Sequence, residues 1–484
     1  MEAMTFVLFG ATGDLAKRKI YPALYNLFID HKLPAEFSVF GLGRKEIADV
    51  DFQASVRESL AQFSRRPADG ERVESFLRAF RYSALNVNNT EDYQKLLSAV
   101  EIREKELGIP ENRMFYLSVA PEFFGTIAHH IHENGLGAGK GWRRLIIEKP
   151  FGHDLESARA LHQQLSKAFT EEEIYRIDHY LGKPMIQNLE VLGYSNPVLQ
   201  ALWTNRYIAN VQITANELVG VEERAAYFDQ TGTIRDMFQN HMLQILMMVT
   251  MHLPQRSTPE EVQSKKRTIV ESLRPMSKEE VGSQIVRGQY TAGMNGSVPV
   301  QGYLDEHGVA PDSTNDTYVA GRIWIDTPFW NDVPFYIRTG KRTHEKSTKI
   351  VIEFKEPLKI STEANQDEAE PNLLTIEINP MESITLKLNT RNAGKGGKIE
   401  PVLMNFTTNS KDAPEAYENL IHDALRGDAT FFAHWDEVEL SWKWIQPALE
   451  AFEENLIPLH TYAAGTNGPK AAHDLLAEDG FKWW

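Results

Sequence analysis

Phe6 Val7 Leu8 Phe9 Gly10 Ala11 Thr12 Gly13 Asp14 Leu15 is the stretch that decides the fold. A short apolar run meets a turn with glycines three apart, and a helical pattern starts directly after it. A strand feeding a helix through such a turn is the first half of a βαβ unit. Glycine suits the turn because a pyrophosphate has to approach the backbone there, and the free N–H groups of the helix start face the anion. The match to Gly-x-Gly-x-x-Gly is incomplete, so the motif alone also reads as a tight strand-to-helix turn. Its place at the first turn of the first unit favours phosphate binding.

Outward from this turn, apolar runs at Thr5–Phe9, Ser38–Leu42, Arg113–Val119 and Leu145–Glu148 alternate with helical stretches at Leu15–Phe28, Asp92–Leu107, Glu122–Asn134 and Leu155–Phe169. That alternation predicts a parallel, doubly wound sheet of Rossmann-like type over residues 1–178. Past about Asn205 the period changes to two. Asn210–Glu217, Val319–Ile325, Pro334–Arg338, Lys349–Phe354, Leu373–Ile378, Ile384–Asn389 and Val402–Thr407 read as half-exposed strands, which are usually antiparallel. Helical segments Ile234–Met251, Ala413–Arg426 and Trp442–Asn455 are expected to cover one face of that sheet, giving an α+β domain over 179–484. The acidic stretch Ser361–Asn372 reads as a solvated hairpin loop.

A chain of 484 residues with 42% hydrophobic and 24% charged residues has the size of two domains and the composition of an ordinary globular protein. Its net charge of -16 argues against nucleic-acid and anionic-membrane partners, so a phosphorylated ligand has to be met by a local basic cluster. The absence of cysteine excludes disulfides, thiolate nucleophiles and cysteine-zinc sites. No signal peptide and no spanning apolar segment is read, so a cytoplasmic location is expected.

Five clusters carry chemistry. After the second strand, Gly41 Leu42 Gly43 Arg44 Lys45 puts two cations where an acidic residue would grip the ribose of NAD. A guanidinium at Arg44 suits a 2′-phosphate, which favours NADP, while Glu46 leaves NAD open as a secondary coenzyme. Glu148 Lys149 Pro150 Phe151 Gly152 places Lys149 at the carboxyl end of a strand, where open parallel sheets bind ligands. Arg176 Ile177 Asp178 His179 Tyr180 Leu181 Gly182 Lys183 packs five polar groups into a short segment, ahead of a helix with proline in its first turn. It can hold a phosphate. In Ile234–Met251 the α-helical spacing puts Met237, Phe238, His241 and Ile245 on one face, so His241 is either a core histidine or a partly desolvated base lining a cleft. A basic turn, Ile337 Arg338 Thr339 Gly340 Lys341 Arg342 Thr343 His344 Glu345 Lys346, reads either as a solvated hairpin or as cations converging on a small anionic sugar. His129, His130 and His132 lack the companion ligands of a metal site, and no metal is expected.

Taken in order, Gly10–Lys17, Glu148–Gly152, Arg176–Lys183, Asp236–His241 and Ile337–Lys341 resemble the glucose-6-phosphate dehydrogenases, and the resemblance extends through Asp423–Glu439 and Ala464–Pro469 over nearly the whole chain. It implies a coenzyme domain followed by a β+α domain whose large antiparallel sheet serves dimerisation, as a dimer or a dimer of dimers. It further implies His241 as general base, Asp178 as the carboxylate that orients it, His179 and Lys183 with Lys346 on the phosphate of glucose 6-phosphate, and Glu217, Asp236 and Lys341 on sugar hydroxyls. The coenzyme would lie on Gly10, Thr12, Gly13, Asp14 and Leu15, with Arg44 at its 2′-phosphate and Lys149 bridging to the sugar. Two positions depart from the family's usual wording: Gly193 stands where arginine is common, and Pro184 follows the motif lysine. A sugar oxidoreductase of the glucose-fructose type, or a noncatalytic NADP-binding protein of the same fold, accounts for fewer of these residues.

Overall fold

The computed structural model describes residues 1–253, 257–356, 369–395, 398–407 and 412–484. They form two compact units, one of Met1–Gln187 with Thr258–Gln263 and Asp412–Glu439, the other of Asn188–Ser257 with Ser264–Lys411 and Leu440–Trp484. Among the described residues no helix is long and apolar enough to cross a membrane.

The first unit is built on six parallel strands, β1 (Met4–Phe9), β2 (Phe37–Gly43), β3 (Phe80–Ala84), β4 (Arg113–Leu117), β5 (Arg143–Glu148) and β6 (Ile174–Ile177), in the order β3-β2-β1-β4-β5-β6. This is the doubly wound order, with β1 beside both β2 and β4, so the strand order reverses next to the Gly10–Gly13 turn. All six residues of β1 are buried, as both faces of a parallel sheet require. The helices carry their own signals. Asn89 caps Thr90–Leu107 by accepting from the Glu91 N–H, and Gly108 closes that helix in the left-handed conformation. Asp154 and Ser157 form a capping box on Leu155–Leu165. Tyr21, Phe52, Phe76 and Phe80 interlock edge to face or tilted in the core. Strand β3 lay outside the sequence reading because only its first residue is buried.

One expectation fails here. The helix expected at Ala413–Arg426 over the second sheet is found at Ala416–Arg426, in the first unit. Its apolar face, Leu420, Ile421, Ala424 and Leu425, joins the core that contains β1 and Tyr25. The buried Glu418 carboxylate accepts from Arg65 at 2.7 Å and 2.8 Å and from the Asn26 amide at 3.0 Å, while Arg144 donates to the helix-end carbonyls of Ala424 and Leu425. Periodicity identifies a buried face, but it says nothing of a partner about 350 residues away.

Beside a small hairpin of Gly293–Asn295 with Val298–Val300, the second unit has a large sheet of nine strands, β7 (Ile208–Asn216), β8 (Ile285–Thr291), β9 (Tyr318–Ile323), β10 (Phe335–Gly340), β11 (Ser347–Phe354), β12 (Leu373–Asn379), β13 (Ser383–Asn392), β14 (Lys398–Thr407) and β15 (Leu459–Ala463), in the order β14-β13-β12-β11-β7-β10-β9-β8-β15. Pairing is antiparallel except for β10 with β7 and β15 with β8. The sheet is mixed and mainly antiparallel, as expected. Helical segments Ile234–Met242 and Leu243–Thr250 cover its middle. Phe238 sits so close to Gly321 of β9 that a Cβ there would come 2.9 Å from the ring. The acidic stretch Ser361–Asn372 lies largely outside the described residues.

Candidate active site

In the first unit the glycine turn is shaped by close approach. Gly10 has φ +82°, and a Cβ on it would stand 2.0 Å from the Ser118 carbonyl oxygen. Only glycine fits. The Gly10 and Ala11 N–H groups donate to the Leu42 carbonyl at 3.1 Å and 3.0 Å, which ties the turn to the end of β2. The helix then starts at Asp14 and winds as a π-turn over Ala16–Ile20. Thr12 and Asp14 are exposed, Gly13 and Leu15 partly so, and Asp14 pairs with Arg18 at 2.6 Å. Arg44 and Lys45 are exposed one step beyond Gly43, whose Cβ would lie 3.5 Å from the Thr12 hydroxyl. A glycine turn at a helix start beside two exposed cations suits the phosphates of a nicotinamide dinucleotide.

At the end of β5 the Lys149–Pro150 bond is cis and Lys149 is half-buried. Glu148, to which the sequence assigns no role, is half-buried, and its carboxylate accepts from the Tyr116 phenol at 2.5 Å. Burial, offset in part by hydrogen bonds from Tyr116 and Tyr417 and by Lys149, pushes its carboxyl up to about 7. An acid next to Lys149 at a strand's carboxyl end was a usable signal. Tyr417, from the helix that the sequence reading misplaced, was not.

The segment after β6 divides by role. Arg176 is buried and holds Glu171 through both guanidinium nitrogens at 2.5 Å and 3.0 Å, and its carbonyl accepts from the Ala433 N–H at 3.2 Å. It is a structural residue. Asp178 is buried and its Oδ1 accepts from the Tyr180 N–H at 3.0 Å. His179 and Lys183 are half-buried, with the Lys183 ammonium 3.8 Å above the Tyr180 ring. Lys183 stands just before the helix Pro184–Ser195. Gly182 lets helix Ala416–Arg426 approach: a Cβ would lie 2.5 Å from the Ala416 carbonyl, and the Asn419 amide donates to the Gly182 carbonyl at 3.0 Å. The loop is thus clamped from behind, with a cation and an imidazole half-exposed.

In the second unit Glu217 follows β7 and Lys341 follows β10, the parallel neighbour of β7. Their side chains pair at 2.5 Å, and the Glu217 N–H donates to the Gly340 carbonyl at 2.9 Å. Lys346 is exposed at the start of β11 and makes no ion pair among the described residues. Arg338, in the same basic run, is buried, donates to the Thr214 hydroxyl at 3.0 Å and lies over the Trp483 ring, so it belongs to the core. Asp236 and His241 lie on Ile234–Met242, both buried. This segment is π-wound, which corrects the α-helical spacing expected for it. In an α-helix, positions five apart stand ~140° apart around the axis; an i→i+5 ladder brings Asp236 and His241 toward one side, a deviation that clusters at functional sites. Met237, Phe238, His241 and Ile245 are nevertheless all buried. Asp316 starts the winding: its carboxylate accepts from the Ile234 N–H at 2.9 Å, and burial pushes it up to about 6. Nothing local in the sequence links Asp316 to residue 234.

Comparisons with known proteins cover the chain from end to end. The model of the glucose-6-phosphate dehydrogenase NAD binding domain matches residues 7–188, and that of the C-terminal domain matches 190–484. Glucose-6-phosphate 1-dehydrogenase of Bacillus subtilis is 47% identical over 482 residues, 99% of this chain and 97% of that one; the Leuconostoc mesenteroides enzyme is 39% identical over 486 residues, 100% and 99% of the two chains. A solved glucose-6-phosphate dehydrogenase in complex with its substrate glucose 6-phosphate superposes with a TM-score of 0.91 at 34% identity, covering 100% of this chain and 99% of that one. With the doubly wound first unit, the mixed nine-stranded second unit and a match in each half, the chain belongs to the glucose-6-phosphate dehydrogenase family.

Proposed function

We propose that the protein oxidises glucose 6-phosphate at C1 to 6-phosphoglucono-1,5-lactone with NADP as coenzyme, the first step of the oxidative pentose phosphate pathway, in the cytoplasm. The observation that carries this reading is the clamped loop Asp178–Lys183, with its half-exposed His179 and Lys183, in a chain matched over its full length by that family. An imidazole and an ammonium beside a helix start are suited to a phosphate monoester.

In the proposed mechanism, His179 and Lys183 bind the phosphate, and Lys346 adds a third cation. Glu217, Asp236 and Lys341 hold sugar hydroxyls, the carboxylates accepting and the ammonium donating. The Glu217–Lys341 pair keeps those two groups oriented before the sugar arrives. A ring nitrogen of His241 takes the C1 hydroxyl proton, and Asp178 orients the ring and offsets the imidazolium charge. NADP, when bound, supplies the acceptor for the C1 hydride. Gly10, Thr12, Gly13, Asp14 and Leu15 would hold its pyrophosphate end, Arg44 its 2′-phosphate, and Lys149 would stand between coenzyme and sugar. The functional division proposed is coenzyme binding by 1–178 and sugar binding by 179–484.

A second copy of the chain is the proposed partner. On the edge strand β14 both faces are bare: Leu403 is 58% exposed, Met404 59% and Phe406 61%. An exposed apolar edge of this kind pairs with another chain unless it is covered. The activity is tested by mixing the purified protein with glucose 6-phosphate and NADP and following NADPH absorbance. No signal, despite coenzyme binding, would refute the assignment.

A further inference from the structure

The second unit contains a cavity of about 370 Å³ that the proposed chemistry does not use. Its volume falls in the range of small-molecule sites, ~300–1,000 Å³. The floor is made by Met248, Met251 and Leu253, all buried, at the end of helix Leu243–Thr250. Trp203 and Phe329 form the walls, and both are held in place. The Trp203 indole N–H donates to the Val249 carbonyl at 2.7 Å, and Phe329 stacks on the His252 ring at 3.9 Å. The His252 ring lies between the carbonyls of Trp203, at 2.8 Å, and Thr250, at 3.3 Å. The polar groups of Trp203 and His252 are therefore engaged, and the Gln200 amide, also in the lining, donates to the Tyr194 carbonyl at 3.0 Å, so few polar groups are left to hold water there. Among the described residues the lining has one formal charge, the exposed Lys265, and no carboxylate.

Gly193 keeps this space open. It sits within helix Pro184–Ser195, where glycine costs about 0.5–1 kcal/mol relative to alanine. No left-handed φ requires it, and a Cβ built on it meets nothing within 4 Å. The room beside it is the cavity, which it lines.

We propose that this cavity binds an amphipathic monocarboxylate, with an unbranched acyl chain among Met248, Leu253, Trp203 and Phe329 and its carboxylate at Lys265. Methionine and leucine walls accommodate a flexible chain, and the single cation without a competing acid selects a single negative charge. The test is calorimetric titration of the full chain with hexanoate, octanoate and decanoate below their micellar concentrations, with decanol as the uncharged counterpart. Saturable binding at one site is expected, tightening about fourfold per added methylene, the fold-change of ~0.8 kcal/mol. Gly193→Phe should fill the space and weaken decanoate at least tenfold without changing turnover. Lys265→Gln should weaken decanoate about threefold, as for an exposed ion pair, and leave decanol unchanged. Should Gly193→Phe fail to fold, Lys265→Gln and the decanoate–decanol difference decide. Absence of saturable binding to the unmodified protein would overturn the proposal, as would affinities that neither variant moves. So would a Gly193→Phe effect seen only in sedimentation, since the cavity would then belong to a partner chain.

Discussion

Replacing Glu148 by glutamine should stabilise the protein at alkaline pH and leave it nearly unchanged at acid pH. In the folded chain this carboxyl is pushed up to about 7 from an ordinary value of 4.5, chiefly by burial. Because the folded value lies above the unfolded one, its contribution to stability is fully present below about pH 4.5 and is lost as pH rises through about 7. Above that point the folded protein carries a buried carboxylate at a cost of about 3 kcal/mol, taking 1.36 kcal/mol for each tenfold in acidity. Glutamine keeps an oxygen to accept from the Tyr116 phenol and removes the titrating proton. With about 2–4 °C per kcal/mol for a unit of this size, Glu148→Gln should melt about 6–12 °C above the unmodified protein at pH 8.5, and within about 2 °C of it at pH 4.5. Scanning calorimetry of both proteins across that range checks this. An equal difference at the two ends would show that Glu148 does not titrate where its surroundings place it.

Lys183→Ala should raise the KM for glucose 6-phosphate by about 10²-fold, the loss of a charge-assisted contact of ~1.5–3 kcal/mol, with a smaller effect on kcat; initial-rate kinetics would show an unchanged KM if the loop does not hold the phosphate. Arg44→Ala should lower kcat/KM with NADP by about 10-fold or more while sparing NAD, and an unaltered ratio between the coenzymes would remove Arg44 from the site. Met404→Glu with Phe406→Glu should convert the proposed dimer to single chains in sedimentation velocity, since charge on an edge strand blocks pairing; a dimer that both substitutions leave intact would place the interface elsewhere.

The first sheet was legible because β1, β2 and β4 are mostly apolar and almost wholly buried, and each is followed by a helical pattern, so local patterns suffice. β3 was not, because four of its five residues are only half-buried. The second sheet announced itself by alternation, but its two parallel pairings involve strands distant in the chain and leave no local mark. Asp178, His179, Lys183 and His241 were readable as residue types in dense or periodic surroundings. Their supports were not: Tyr417 and Asn419 come from a helix whose buried face joins the first unit, and Asp316 starts the π-winding around His241 from more than 80 residues away. Arg176, to which the sequence assigns no role, is taken up within the fold by its bidentate partner, Glu171.

His241, buried on the π-wound segment, is the proposed base. That role is tested most directly by the steady-state turnover of His241→Asn with glucose 6-phosphate and NADP, alongside equilibrium binding of glucose 6-phosphate to the same variant. Binding within a few-fold of the unmodified protein, with kcat lowered by about 10²- to 10⁴-fold or more, is the predicted result for a lost general base. Near-normal turnover would contradict it and return His241 to the role of a core histidine.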